Sequence, residues 1–330
     1  MLRHDASPIH PIGAPADVSG LIALDWGTSS LRAYWLQAGK ICDTRAHAWG
    51  IRHLPEGGFQ GALIDITAGW PRLPRLACGM VGSRQGWLEV PYLDVPATRT
   101  QLARALRSVR ADDGMDVHIV AGLRNPLGPD VMRGEETQLI GAFATQPALA
   151  EYSSWIMPGT HSKWVSVRQG AITDFCTLMT GELFAVLRQH SILAAGIDGE
   201  ASDPDAFARG VVVARDSGAA GALSRLFSAR ASMLDGALAA ASVPEYLSGL
   251  LIGEELRSGL ATQRFRQDAA IQLIGDAALC ERYRAAALLF DLELAQPIAD
   301  AAAHGLWHIA CDAGLVDAGP FAASKETSSC

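Results

Sequence analysis

Three short stretches of this 330-residue chain carry side chains whose types and spacing suit the chemistry of phosphate groups. Gly27-Thr28-Ser29-Ser30 and Gly159-Thr160-His161-Ser162 each sit between apolar runs. A tight turn of Gly, Thr and Ser between two strands directs backbone N–H groups and hydroxyls toward one point, and glycine lets the ligand approach the backbone. Such a concavity suits a phosphate, although each turn taken singly is also an ordinary hairpin loop. Their recurrence favours two loops facing one nucleotide. Asp25 precedes the first turn and Met157-Pro158 the second. A carboxylate at a strand end beside phosphates can orient Mg²⁺, which keeps several waters and takes one or two carboxylates; the alternative is an acid that only caps the turn. Further on, Arg133-Gly134 lead into Glu135-Glu136 and a helical run. Acids in a first helical turn are stabilised by the macrodipole alone. In the chemical reading, Glu135 withdraws a proton from an attacking hydroxyl. Phosphoryl transfer needs positioning and charge neutralisation above all, so one base and one metal-orienting acid complete a minimum set.

The elements that hold these residues follow from periodicity. LIALDWGTSSLRAYWLQAGKICDTR reads as three short antiparallel strands with turns at Gly27–Ser30 and Gly39-Lys40, and SSWIMPGTHSKWVSVRQGAITDFCT repeats the pattern. Repetition at so long a separation implies two equivalent α/β domains, since solenoid units recur every 20 to 50 residues or so. Helices are expected at QLARALRSVR, GEETQLIGAFAT, GELFAVLRQHS, VPEYLSGLLIGEELRSG and DAALCERYRAAALL, and strands at DVHIVAG and AAIQLIG. Strands of mixed sense with helices between them imply a sheet covered on both faces in each domain. TQPALAEYS breaks a helical pattern and sets the boundary near residue 150. The expected organisation is a flexible extension over 1–19, domains over 20–150 and 151–316, and a polar tail over 317–330. ADAAAHGLWHIACDAG, close to that tail, is suited to one more helix that crosses back to the first domain.

A formal charge of −8 repels polyanions, and no Lys/Arg-rich run gathers phosphates, so nucleic acid is not an expected partner. No apolar stretch reaches the roughly 18 residues of a membrane helix and the start lacks an apolar signal core, which predicts a cytoplasmic protein without a membrane partner. Six cysteines without CxxC spacing are expected to be buried, reduced thiols.

These residues resemble the actin, Hsp70 and sugar-kinase superfamily, whose two domains each begin with a β-hairpin phosphate loop. More narrowly, ALDWGTSSLRAY, ACGMVGSRQGW followed by PYLDVPA, DVMRGEETQLIGA, MPGTHSKWV, DFCTLMTGEL and LSGLLIGEEL resemble the 2-dehydro-3-deoxygalactonokinase family, from about residue 20 to about residue 316. The resemblance implies two duplicated ribonuclease-H-like domains, an actin-like ATPase fold with an interdomain cleft, and closure of that cleft is expected because it would exclude water that hydrolyses ATP unproductively. It implies ATP and Mg²⁺ as cofactors and phosphorylation of the 6-hydroxyl of 2-dehydro-3-deoxy-D-galactonate in D-galactonate breakdown. A kinase for another such sugar acid, a phosphohydrolase and a ligand sensor on the same scaffold are the alternatives. The expected partners are the sugar acid and ATP, with a homodimer as the assembly to test.

Carried over residue by residue, Asp25 becomes the metal-orienting acid, and Gly27, Thr28, Ser29, Gly159 and Thr160 the phosphate contacts. Glu135 becomes the base, with Glu136 close enough to leave that choice open. Many superfamily members have an acid at the position of Met157, so the second loop is a poor metal binder here. Gly275 and Asp276 stand in for the usual adenine-side glycine pair. For the sugar acid, Gly79, Ser83 and Arg84 offer amides and a guanidinium, with a structural loop as the alternative. Thr180 and Glu182 either line the cleft or cap a helix. Arg32 and Lys163 either serve phosphate or sit on a solvent face, and neither His161 nor Lys163 has a sequence neighbour that would make it a nucleophile.

Overall fold

A computed structural model describes residues 19–194, 197, 201–262, 265 and 269–317. The expected extension and tail fall almost wholly outside them, as does Cys330. The chain opens with the antiparallel meander β1 (Gly20–Trp26), β2 (Leu31–Gln37) and β3 (Lys40–His47). Positive φ at Ala38 and Gly39 gives the β2–β3 turn the handedness that matches strand twist. β4 (Arg75–Cys78) joins parallel to β1, and β8 (Asp116–Ile119) parallel to β4. The six-stranded order β3-β2-β1-β4-β8-β7 ends on β7 (Arg107–Arg110), antiparallel to β8.

β7 corrects the helix expected over QLARALRSVR. Only Arg99–Arg104 is helical (α2). Leu102 and Leu106 mimic helical spacing, but the following RSVR alternates a half-buried Val109 with exposed Arg and Ser and completes the sheet edge.

The second half repeats the opening with β11 (Tyr152–Met157), β12 (Ser162–Arg168) and β13 (Ala171–Leu178), again through positive φ at Gln169 and Gly170. β14 (Gln272–Leu273) lies parallel to β11 as β4 does to β1. Two segments interleave the halves. β6 (Ala97–Thr98) pairs with β13 and closes the second sheet. A small sheet of β5 (Leu93–Asp94), β9 (Leu123–Asn125) and β10 (Asp130–Met132) reaches the same strand. There Asn125 donates to the Phe175 carbonyl (2.9 Å) and Asp130 accepts from the Thr177 hydroxyl (2.6 Å).

α1 (Gly58–Ile66) covers the outer face of the first sheet. α3 (Glu135–Thr145) and α9 (Ala301–Asp312) cover the inner face, so the last helix does return to the first half. The second sheet carries α7 (Val243–Ala261) and α8 (Ala277–Leu288) on its outer face, with α4 (Thr180–His190), α5 (Pro204–Arg215) and α6 (Ser228–Leu234) grouped around α7.

Strand alternation decides what faces the space between the sheets. On β1, Ile22, Leu24 and Trp26 enter the outer core, while Leu21 and Ala23 enter a central core shared by both sheets. Asp25 has the parity of Leu21 and Ala23. On β12, Val165 and Val167 enter the central core and Trp164 the outer one, so Lys163 also faces inward. The cysteines divide: Cys78 and Cys280 are buried, Cys176 and Cys311 half-buried, and Cys42 exposed, because β3 is an edge strand that alternates its side chains to solvent.

α3 and α9 cross at two glycines. A Cβ on Gly141 would lie 1.8 Å from the Ala301 carbonyl oxygen, and one on Gly305 would lie 1.9 Å from that of Thr137. Exchanging glycine for alanine inside a helix ordinarily stabilises by about 0.8–1 kcal/mol. Here Gly305→Ala is expected to destabilise by about 1–3 kcal/mol in urea denaturation, because the helices must separate. The control Gly128→Ala, with no atom within 4 Å of the new carbon, should stay within about 0.5 kcal/mol. A Gly305→Ala protein of undiminished stability would show that the helices do not meet this way.

Candidate active site

The first turn closes through Gly27 N–H to the Ser30 carbonyl (2.9 Å). It is braced from behind by residues 49–52, which the sequence reading did not single out. Ile51 N–H donates to the Gly27 carbonyl (3.1 Å) and Arg52 N–H to that of Thr28 (3.3 Å). Gly50 lies so close that a Cβ there would stand 2.2 Å from Ser29 N. Trp26, last residue of β1, anchors the turn by donating to the Trp49 carbonyl (2.8 Å) and packing edge-on against Phe59 and Trp87. A Trp-Gly pair with no hairpin to serve was the available sequence signal.

The second turn is backed by the start of α4. Glu182 N–H donates to the Thr160 carbonyl (3.0 Å), and a Cβ on Gly181 would meet the Gly159 carbonyl at 2.5 Å. Around Gly159 itself there is no atom within 4 Å of a built Cβ, so glycine here keeps open the space a phosphate would fill. Beneath the turn, Glu255 of α7 is fully buried, with no cation beside it among the described residues. It accepts from Ser162 Oγ (2.5 Å), Trp164 Nε1 (2.9 Å), Tyr283 OH (2.6 Å) and the Thr180 hydroxyl. Burial raises its pKa and these donors work against that rise. One carboxylate thus ties the second turn to α4, α7 and α8. Both basic side chains above the turn have acidic partners: His161 pairs with Glu182, and Lys163 Nζ lies 3.8 Å from Glu135 Oε1. The partners come from α4 and α3, distant in sequence and brought over by the fold.

Between the turns, three backbone segments converge. Gly79 follows β4 with φ +88°, and its Cβ would stand 2.7 Å from the Trp26 carbonyl oxygen. Gly134 has φ +114°, and its Cβ would stand 3.2 Å from the Gly79 Cα. Only glycines allow this approach, which lays the start of α3 over the end of β1. The two acids there then part company. Glu136 is wholly enclosed and accepts from Gly134 N–H (3.0 and 2.8 Å) and Thr137 Oγ1 (3.0 Å). Glu135 keeps 26% of its side-chain surface, accepts from Arg133 N–H (3.0 Å) and faces Lys163. That ion pair joins the two halves.

Asp25 lines a cavity of about 340 Å³ with Arg32, Tyr34 and Gln138 from the first half, and with Gly275 and Asp276 beyond β14. Burial raises the Asp25 pKa, the Arg32 charge opposes the rise and the Glu135 charge adds to it. Asp276 also borders a second cavity of about 540 Å³, beside Gly159, Thr160, Thr180, Phe184 and Tyr283. Gly275 abuts the second turn, where its Cβ would lie 3.2 Å from the Pro158 carbonyl oxygen. The fold therefore brings Asp25 and Gly275 to one cavity and Gly159, Thr160 and Thr180 to its neighbour, with Glu182 behind the second turn. Gly79 sits under Gly134. Ser83 is buried and Arg84 exposed.

A sequence profile described as 2-keto-3-deoxy-galactonokinase matches residues 25–309. The 2-dehydro-3-deoxygalactonokinase of Escherichia coli (strain K12) is 40% identical over 270 residues, 80% of this chain and 88% of that protein. A crystal structure from Sinorhizobium meliloti, described as a candidate 2-dehydro-3-deoxygalactonokinase, has 36% identity and a TM-score of 0.78 over 88% of this chain and 98% of that one. Ligand-bound xylulose kinase from Lactobacillus acidophilus shares the fold alone, at 10% identity and a TM-score of 0.50 over 90% of each chain.

Burial, then the Glu135 charge, push the Glu136 pKa from 4.5 up to about 8. Between those values the folded chain holds a proton that the unfolded chain has released, so this group's contribution to stability is full below the lower value and is lost as pH rises through the upper one. Glu136→Gln, which keeps an acceptor for Gly134 and cannot ionise, should gain on the wild type by about 2–4 kcal/mol between about pH 5 and about pH 8. Paired urea titrations at each pH test this, and a difference that stays constant with pH would refute it.

Proposed function

The chain belongs to the 2-keto-3-deoxy-galactonokinase family, and from that membership we propose that it transfers the γ-phosphoryl group of ATP to the 6-hydroxyl of 2-dehydro-3-deoxy-D-galactonate. The product is the 6-phosphate, and ATP as donor supports a cytoplasmic setting for the reaction. One observation carries the chemical assignment: Glu135 stands at the start of α3, over the end of the strand that bears Asp25 and facing Lys163 of the other half.

In this reading the base is Glu135. Glu136 is enclosed and holds its proton near neutrality, so it fixes the helix start instead. As the sugar hydroxyl attacks phosphorus, its proton passes to Glu135, the new O–P bond forms, the bond to the β-phosphate oxygen breaks and ADP leaves. The Gly27–Ser29 and Gly159-Thr160 turns hold the phosphates through backbone N–H groups and hydroxyls. Lys163 and Arg32 supply positive charge. The larger cavity takes the adenosine, with Gly275 at its border to the phosphates.

Asp25 suits Mg²⁺ in type and place, since the ion takes few carboxylates and completes its shell with water and phosphate oxygens. The ion's contribution would be to neutralise phosphate charge. At the equivalent place in the second half, Met157 is buried in the central core and offers no second acid. Closure of the halves would exclude water that otherwise competes with the sugar.

ADP release with Mg-ATP and a panel of sugar acids tests the reading. Turnover should require a sugar acid and be greatest with 2-dehydro-3-deoxy-D-galactonate. Glu135→Gln should lower kcat by about 10²–10⁴-fold while ADP affinity by calorimetry is kept. Equal release with and without sugar would point to a phosphohydrolase, and a Glu135→Gln protein of normal kcat would remove Glu135 as the base.

A further inference from the structure

The described residues include three buried cations, Arg75, Arg133 and Lys163. Arg75 is held by both oxygens of Asp113 at 3.0 and 2.6 Å, and Lys163 faces Glu135. Arg133, 8% exposed, has no carboxylate partner among the described residues. Its Nη2 donates to the Val90 carbonyl (2.7 Å) and its guanidinium lies over the Tyr92 ring, 4.3 Å from the centroid. Among the described residues Nε and Nη1 donate to nothing, and the Oγ of Ser83, which follows the Gly82 that packs on Nη1, is likewise buried without a partner. Gly82 makes room for the cation, since a Cβ there would stand 2.9 Å from Nη1.

Leaving a guanidinium enclosed with unpaired donors and no counter-charge is costly. A fold gains nothing from it unless an anion arrives. The place also matters, because residues 79–90 follow the carboxyl end of the parallel strand β4, and Gly82 packs on both Arg133 and Ile119, the last residue of parallel β8, where α/β sheets take their ligands. The Arg133 backbone N–H holds Glu135 Oε2, so this cation and the proposed base share one turn.

We infer that Arg133 and Ser83 form the subsite for the carboxylate of the sugar acid, and that Arg133 makes the enzyme specific for acids over neutral sugars. The inference rests on the kinase reading above and adds the contact that selects its substrate. The carboxylate accepts from the unpaired guanidinium N–H groups and from the Ser83 hydroxyl, and the Tyr92 ring, which is 39% exposed, yields to admit it. Arg84, the guanidinium that sequence alone suggested, is exposed and needs no counter-charge. A neutral analogue would leave the buried cation unpaired, which is how a polar site rejects a near-isostere.

The test compares the sugar acid with its C1 carboxamide, in steady-state kinetics and in calorimetric binding without ATP. Wild-type protein should show a KM about 100-fold higher for the amide with kcat within a few-fold. Arg133→Met should raise KM for the acid by about 100-fold, leave ADP affinity unchanged and nearly erase the preference for acid over amide. Arg133→Lys, which keeps the charge without the fork, should lie between the two. Ser83→Ala should raise KM for the acid alone, by about tenfold. Should Arg133→Met fail to fold, the wild-type preference and Ser83→Ala still decide. A wild type that treats acid and amide alike, or a folded Arg133→Met with wild-type affinity for the acid, overturns the inference while leaving the kinase standing. A wild type that phosphorylates no sugar acid brings down both.

Discussion

The candidate site depends on a backbone contact that only glycine permits. At the ends of β1 and β4, Gly79 passes so close to Trp26 that a methyl group would collide with main chain, and Gly134, packed against Gly79, has a φ of +114° that side chains rarely adopt. The contact fixes where α3 begins, and the start of α3 decides that Glu136 is sealed while Glu135 remains open toward Lys163. A second pair of glycines, Gly141 and Gly305, presses α3 against the returning α9 and so holds that start in place from its far side.

Both turns are braced by main chain, the first by residues 50–52 and the second by Gly181 and Glu182. The second alone also rests on an enclosed carboxylate, Glu255, gathering donors from β12, α4 and α8. The inward-facing position two residues before each glycine differs as well, Asp25 in one case and the core methionine Met157 in the other. The two loops form a matched pair, and only the first has an acid two residues before its glycine.

Much of this arrangement was legible from local pattern. The paired meanders, α3 and α9 followed from alternation, turn residues and helical spacing, and the phosphate turns and acids from chemical type, while the β2–β3 turn falls at Ala38-Gly39, one residue before the expected Gly39-Lys40. What escaped depended on distant partners. RSVR reads as a helix continuing from Leu102 and becomes a strand because β8 offers an edge. Nothing in Ala97–Thr98 announces that it will complete the sheet of the other half. The pairing of His161 with Glu182, the donors around Glu255 and the burial of Arg133 rather than Arg84 are likewise properties of the assembled fold.

The central claim is that phosphoryl transfer takes place between the two turns with Glu135 as base. A crystal structure of the protein with 2-dehydro-3-deoxy-D-galactonate and a non-hydrolysable ATP analogue tests it most directly. The phosphates are expected between Gly27–Ser29 and Gly159-Thr160, and the 6-hydroxyl about 3 Å from a Glu135 carboxylate oxygen, in line with the γ-phosphorus. A sugar acid bound away from Glu135, or a nucleotide whose phosphates bypass either turn, would contradict it.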